Sequence, residues 1–307
     1  MKAYFYTPEE CGMAEFPQGL MRLTGFDITM SPEEADVFVV PCGINYIGAI
    51  GIKNLPYLKG NESRHAALNI ADWFKYVTEV PGMWFRCDST RSVVEREPST
   101  IPWPWPVDDL SEYFNRPFER DAVFVGWNST DINDVACESI IAEKRLDSLV
   151  ARKNKFYGWI PESQEKQDSH TFFVDTLAGS RVSLCVRSIE AGVCRYRFYE
   201  SISMGRIVAH ICDGHTYPLA DRIDYSAFVI DIPECEAEHT GEIIADFLSS
   251  HDDNDLRERG AYARDMFQRW LHRDRWDELF GEVVTEKLVP VGCIVREESY
   301  LWAKEES

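Results

Sequence analysis

Five arginines, Arg181, Arg187, Arg195, Arg197 and Arg206, stand against only two acids, Glu190 and Glu200, between residues 181 and 206. The chain as a whole carries 52 acids against 32 bases and a net charge of -20. That local reversal of sign predicts a pocket for a phosphorylated ligand, because guanidinium forks and helix N-termini both favour the charge of a diphosphate. The surrounding pattern reads strand (Val182 to Val186), loop, helix (Arg195 to Met204) closed by Gly205, then strand (Arg206 to Ile211). In an open parallel sheet, ligands sit outside the carboxyl ends of strands and against helix N-termini. Arg187, Arg195 and Arg197 are therefore candidates for phosphate contacts. Glu200, one turn along the helix, has the acceptor chemistry to take hydrogen bonds from two ribose hydroxyls. Read by spacing alone, Arg197 and Glu200 fit a surface ion pair equally well.

The elements that position these residues form two alternating series. Ala3 to Tyr6, Val37 to Val40, an amphipathic helical segment around Glu62 to Tyr76, and Met83 to Cys87 make the first, the pattern of a parallel sheet with crossover helices. Three prolines in five residues (Pro102, Pro104, Pro106) then form a connector, since they suit neither helix nor central strand. A second series starts at Ala122 to Gly126, with a helix over about Ala136 to Ala151 and a strand at Phe156 to Gly158. The expected division is residues 1–108, 109–265 and a helical tail over 266–307. The fold class is α/β, with two Rossmann-like doubly wound domains.

Composition narrows the function classes. A hydrophobic share of 45% marks a globular chain, and a pI near 4.8 disfavours nonspecific attraction to nucleic acid or anionic membranes. The apolar stretch Val37 to Ile52 is broken by Pro41 and Asn45 and is too short to span a bilayer, so a cytoplasmic protein is expected. Nine scattered cysteines without paired spacing read as free thiols. Cys212-Asp213-Gly214-His215 reads as loop residues lining a pocket rather than as a metal site.

The run S-L-C-V-R, then C-R-Y-R-F-Y-E-S-I-S-M-G-R-I-V, then P-L-A-D-R-I-D-Y-S-A-F-V-I-D-I-P-E resembles the C-terminal half of exostosin-family glycosyltransferases. Ser31 to Pro41 (SPEEADVFVVP), Asp88 after Trp84-Phe85-Arg86-Cys87, and the Pro-rich Ile101 to Pro106 are similar to the family's N-terminal segments, in family order. The chain departs where the family has Pro-Arg-Gly, with Val186-Arg187-Ser188, and where a proline follows the glycine, with Gly205-Arg206-Ile207. The resemblance implies a GT-B architecture, two Rossmann-like domains facing a cleft, of a soluble bacterial or viral type. It implies a nucleotide-diphosphate sugar donor, UDP-linked, held by the second domain, with Arg197 at the diphosphate and Glu200 at the ribose. Inverting transfer without metal or other cofactor would follow, onto a glycan or small-molecule acceptor. Hydroxymethylated DNA bases, or a binding module without chemistry, are the alternatives. Such transfer needs a general base; Asp88 is the first candidate and Glu10 the second, although Asp88 before Ser89-Thr90 fits a helix cap as well. Gly126 and Asn128 are expected to bring backbone N–H groups to the ligand. An acceptor wall is expected from Tyr46, Tyr57, Trp84 and Asp88. A DNA acceptor would instead require Lys53, Lys59, Arg64 and Arg91 to converge.

Overall fold

The structure, a computed structural model, describes residues 1–12, 26–41, 52–69, 82–87, 90–96, 100–127, 130–153, 163–187 and 196–298. The chain divides into two compact units, one formed by Met1–Trp103 together with the chain from Arg273 onward, the other by Pro104–His272. The first crossing falls inside the Pro-rich connector.

The first unit is built on six parallel strands: β1 (Lys2–Phe5), β2 (Asp27–Ile28), β3 (Val37–Val40), β4 (His65–Asn69), β5 (Met83–Arg86) and β6 (Thr100–Pro102), in the order β2-β1-β3-β4-β5-β6. Val37 to Val40 and Met83 to Arg86 are buried throughout, as strands covered on both faces must be. Pro102 sits on the edge strand β6, where its missing N–H costs no ladder bond. The expected helix over Glu62 to Tyr76 is corrected in its first part. Glu62–Arg64 is a single 3-10 turn and His65–Asn69 is strand β4. Inserted between β3 and β5, its small alanines Ala66 and Ala67 are completely buried, so sheet pairing overrides their helix propensity. A short helix α1 (Arg91–Arg96) precedes β6.

The second unit contains β7 (Arg120–Trp127), helix α2 (Asp131–Ala142), β8 (Ser148–Lys153), α3 (Gln164–Ala178), β9 (Ser180–Val186), α4 (Tyr196–Ser203), β10 (Ile207–Ile211), β11 (Val229–Asp231), α5 (Thr240–Ser249) and α6 (Asp253–Met266). Its five strands are parallel, in the order β11-β10-β9-β7-β8. Helix α2 packs on α5 and β8, while α4 packs on α6 and β10, the two-sided cover of a doubly wound sheet. Side chains of Thr130, Ser163 and Asp252 cap the starts of α2, α3 and α6. The expected helix Ala136 to Ala151 is shorter than its apolar run: Ala142 ends α2, and Ser148 begins β8. Phe156 to Gly158 lies outside the described residues. Helix α3 was not legible as an amphipathic segment because its first two turns, QEKQDSHT, are polar. The last helix, α7 (Trp276–Glu298), belongs to the first unit, where Phe280 packs on Phe85 at 4.4 Å and Trp276 on Trp103 at 6.2 Å.

In chain order within each unit, the first sheet runs 2-1-3-4-5-6 and the second 2-1-3-4-5, so the strand order reverses between the first and third strands of each. Those reversals, β1/β3 and β7/β9, are the topological switch points where open α/β sheets place ligands.

Candidate functional site

At the β7/β9 switch point the Arg197 side chain reaches from α4 to both strands. Its Nη2 donates to the Val125 carbonyl at 2.6 Å and its Nη1 makes a longer contact, 3.4 Å, with the Leu184 carbonyl. The guanidinium also lies 4.4 Å from the Phe124 ring centre. A β-carbon on Gly126 would fall 1.9 Å from Nη2, so a residue with a side chain at 126 expels the guanidinium. Glycine is thus required here for close approach to an arginine. The buried Nε has no partner among the described residues. A positive charge is in this way fixed at the carboxyl end of the central strands.

Glu200 stands one turn further along α4. It is partly buried, and its carboxylate has no hydrogen-bond partner among the described residues. Burial pushes its carboxyl up to about 7; the Asp108 charge adds to the rise and Arg197 opposes it. The connector that opens the second unit runs along α4 and accounts for Asp108. Trp105 lies 5.5 Å from Tyr196, and the Leu110 N–H donates to the Ser203 hydroxyl at 3.3 Å. Sequence reading missed Asp108, since a residue in a Pro-rich connector gives no sign of which helix it borders.

The four described arginines of this cluster do not converge. Arg187, at the end of β9, pairs with Glu234 at 2.8 Å, and Glu234 also accepts the Asp213 N–H, so the loops after β9, β10 and β11 are tied together. Arg181 binds Asp253 and Asp121 at the start of β9. Arg206 is completely buried before β10, donating to the carbonyls of Tyr113 and Phe114. Both of these guanidiniums lie over the Phe118 ring, at 5.4 and 5.2 Å, on the amino edge of the sheet. The reading of the local charge reversal as one phosphate pocket is therefore corrected for Arg181 and Arg206. These two hold the segment 113–118 against the opposite end of the sheet. Burial, with Arg257 and Arg116 nearby, pushes the Arg206 guanidinium down to about 9. Arg195 and Asn128 lie outside the described residues.

In the first unit Glu10 follows β1, beside the β1/β3 switch point. Its carboxylate accepts the Tyr4 hydroxyl at 2.7 Å and the Thr7 N–H at 2.9 Å. Tyr57, with a left-handed φ of 61°, packs edge-on against Tyr4 at 5.5 Å and parallel to Phe38 at 6.0 Å, leaving part of its ring exposed. Beneath it, His65 takes the Tyr6 hydroxyl on Nε2 and gives its Nδ1 proton to the Asn61 carbonyl, both at 2.8 Å. Burial holds this imidazole below its ordinary range and therefore neutral. Trp84, expected in an acceptor wall, is completely buried in β5 and serves the core. Asp88 and Tyr46 lie outside the described residues. Arg64 is tied to the Asp36 carbonyl and Asn61.

Among the described residues no group of three or more His, Cys, Asp or Glu is arranged to hold a metal ion, and no helix is long and apolar enough to cross a membrane. No family model matches the chain, and no curated protein matches it. Among solved structures it is similar to the crystal structure of AviGT4, a glycosyltransferase involved in avilamycin A biosynthesis. That match covers 94% of this chain and 98% of the other at 12% sequence identity, with a TM-score of 0.42.

Proposed function

We propose that the chain transfers a sugar from a nucleotide-diphosphate donor, UDP-linked, to a hydroxyl of a glycan or small-molecule acceptor. One observation carries this reading: α4 sets a fixed guanidinium and, one turn on, a carboxylate without a hydrogen-bond partner at the switch point of a parallel sheet. The ordered exostosin-like motifs support it, because Arg197 and Glu200 occupy the R-x-x-E pattern.

In this mechanism the ionised Glu200 accepts hydrogen bonds from the two ribose hydroxyls. The Arg197 charge offsets the negative charge that grows on the departing diphosphate. A general base takes the acceptor proton as the acceptor oxygen bonds to the anomeric carbon, and the electrons of the breaking C–O bond leave with the diphosphate. Glu10 fits the base role, held by Tyr4 and Thr7 at the end of β1; Asp88 is the other candidate. A single displacement of this kind inverts the anomeric centre.

The test is thermal unfolding with a panel of nucleotides and nucleotide sugars, followed by donor hydrolysis assays. A ligand at a hundred times its dissociation constant adds about 2.7 kcal/mol of stability. UDP or a UDP-sugar should raise the transition temperature of the parent and much less that of Glu200→Gln. No shift with any nucleotide sugar sinks the proposal.

A further inference from the structure

At the edge of the second sheet, β11 and the loop after β10 border a shallow, open depression of about 580 Å3. Tyr217, Asp221, Arg222, Tyr225, Asp231 and Tyr262 line it. The loop is held in a specific shape. Leu219 has a left-handed φ of 52°, a conformation that costs a leucine energy and persists only where its surroundings impose it. The buried Tyr225 hydroxyl donates to the Pro218 carbonyl at 2.9 Å, and the Asp224 N–H donates to the Tyr262 oxygen at 3.2 Å. Tyr217 stacks on Tyr225 at 4.4 Å.

Behind this wall lies a polar network that the transfer reading does not use. The Asp231 carboxylate accepts the Tyr217 hydroxyl and the His210 Nδ1 proton, the latter at 3.1 Å, and that imidazole also contacts the Tyr217 oxygen at 2.7 Å. His210 packs edge to face on His215 at 4.9 Å; both rings are buried, and neither the His210 Nε2 nor either nitrogen of His215 has a partner among the described residues. Burial, reinforced by His210, drives the His215 imidazole well below its ordinary range, so it stays neutral. Tyr217 and Asp231 are thereby held from behind in one orientation.

We infer that this cavity is a saccharide subsite for a neutral or amino sugar. Tyrosine rings offer flat apolar faces to the C–H side of a pyranose, and carboxylates accept from its hydroxyls. Three aspartates, Asp221, Asp224 and Asp231, outnumber the single Arg222, so the wall repels phosphate and carboxylate ligands. Asp231 stands on β11, two strands away from β9, while Phe198 of α4 packs on Tyr217 and Tyr225 at 5.8 and 6.2 Å, so the wall of this cavity borders the helix that carries the donor residues. The inference does not rest on the transfer reaction, since sugar binding here requires only this loop.

Saturation-transfer NMR on the intact chain tests it with methyl β-glucoside, methyl β-galactoside, methyl β-xyloside, glucosamine and glucuronate as probes. Transfer to at least one neutral or amino sugar is expected. Ala220→Trp, an exposed position whose new ring fills the cavity, should abolish it. Asp221→Asn, also exposed and outside the core, should weaken it by about tenfold, as for loss of a hydrogen bond to a charged group. UDP binding, read in the same samples, should be unchanged in both variants and reports the donor site separately. No transfer to any probe, transfer undiminished in Ala220→Trp, or tightest binding of glucuronate overturns the inference.

Discussion

Gly126 and Arg197 act as one unit, although 71 positions of chain separate them and neither identifies the other in sequence. A β-carbon at 126 displaces the guanidinium from the Val125 carbonyl. Gly126→Ala should therefore cost the fold only about 1 kcal/mol, the loss of the Arg197–Val125 hydrogen bond, because the atom it meets is the far end of a flexible side chain that can swing aside. Donor affinity should fall with it, since the charge leaves the switch point. Paired measurement of denaturation midpoint and UDP binding checks this; an alanine variant equal to the parent in both removes Arg197 from its assigned place. Glu200 sets a pH dependence with a defined sign. Its folded carboxyl is raised from 4.5 to about 7, so between those values the native state keeps a proton that the unfolded chain has released. Stability contributed by this group therefore declines as pH rises through that window, and the penalty is complete above about 7. The upper bound is roughly 3 kcal/mol, from about 1.4 kcal/mol per pH unit. Glu200→Gln should melt above the parent at pH 8 and close to it at pH 5. Donor binding has the opposite slope, because ribose hydroxyls need the ionised acceptor: parent affinity should fall below about pH 7, while the glutamine variant stays flat. A parallel pH profile in both proteins contradicts the assignment.

Among the elements, α4 carries the candidate site and is placed by two glycines. Gly205, at φ 66°, ends α4, and its carbonyl lies where a β-carbon on Gly260 of α6 would stand only 2.2 Å away. Backbone meets backbone at this crossing, so no side chain can yield. Gly260→Ala should cost about 2 kcal/mol or more through forced separation of the helices, and should weaken UDP binding because Arg197 and Glu200 shift with α4. Chemical denaturation and nucleotide titration of that variant measure both effects; full donor affinity in a destabilised variant shows that α4 keeps its place without the close crossing. Strands were more legible than helices at this scale. Val37 to Val40, Val182 to Val186 and Ile207 to Ile211 are short apolar runs bounded by turn residues, and the pairing of parallel strands demands that pattern. Helix α3 and strand β8 were not legible, since polar stretches next to a sheet take their conformation from packing partners remote in sequence.

For the molecule as a whole, the net charge of -20 makes fixed positive groups costly to lose and bound polyanions unfavourable. If, as proposed, the Arg197 charge offsets the departing diphosphate, nucleotide-sugar hydrolysis should persist in excess EDTA. Loss of activity in the chelator with recovery in manganese or magnesium points to a bound metal instead. Cys137 and Cys235 are free thiols, and burial pushes Cys137 and Cys185 up to about 11, which leaves those two inert as thiols. A reductant should leave the melting temperature unchanged; a fall of several degrees identifies a disulfide outside the described residues.

By itself the sequence determined the α/β class, two alternating series of elements and the local strand-loop-helix around Arg197 and Glu200. Each of these follows from apolar runs, turn residues and capping chemistry within a few positions of one another. Only the tertiary structure decided which charges serve which end of a sheet. Parallel strands place residues near in sequence at opposite edges, so Arg206 and Arg181, nine and sixteen positions from Arg197, turn away from it although the sequence groups them. It also set Asp108 beside Glu200 and assembled the His210, Tyr217 and Asp231 network across neighbouring strands, because such contacts arise from sheet order, which a one-dimensional pattern of residue types does not encode.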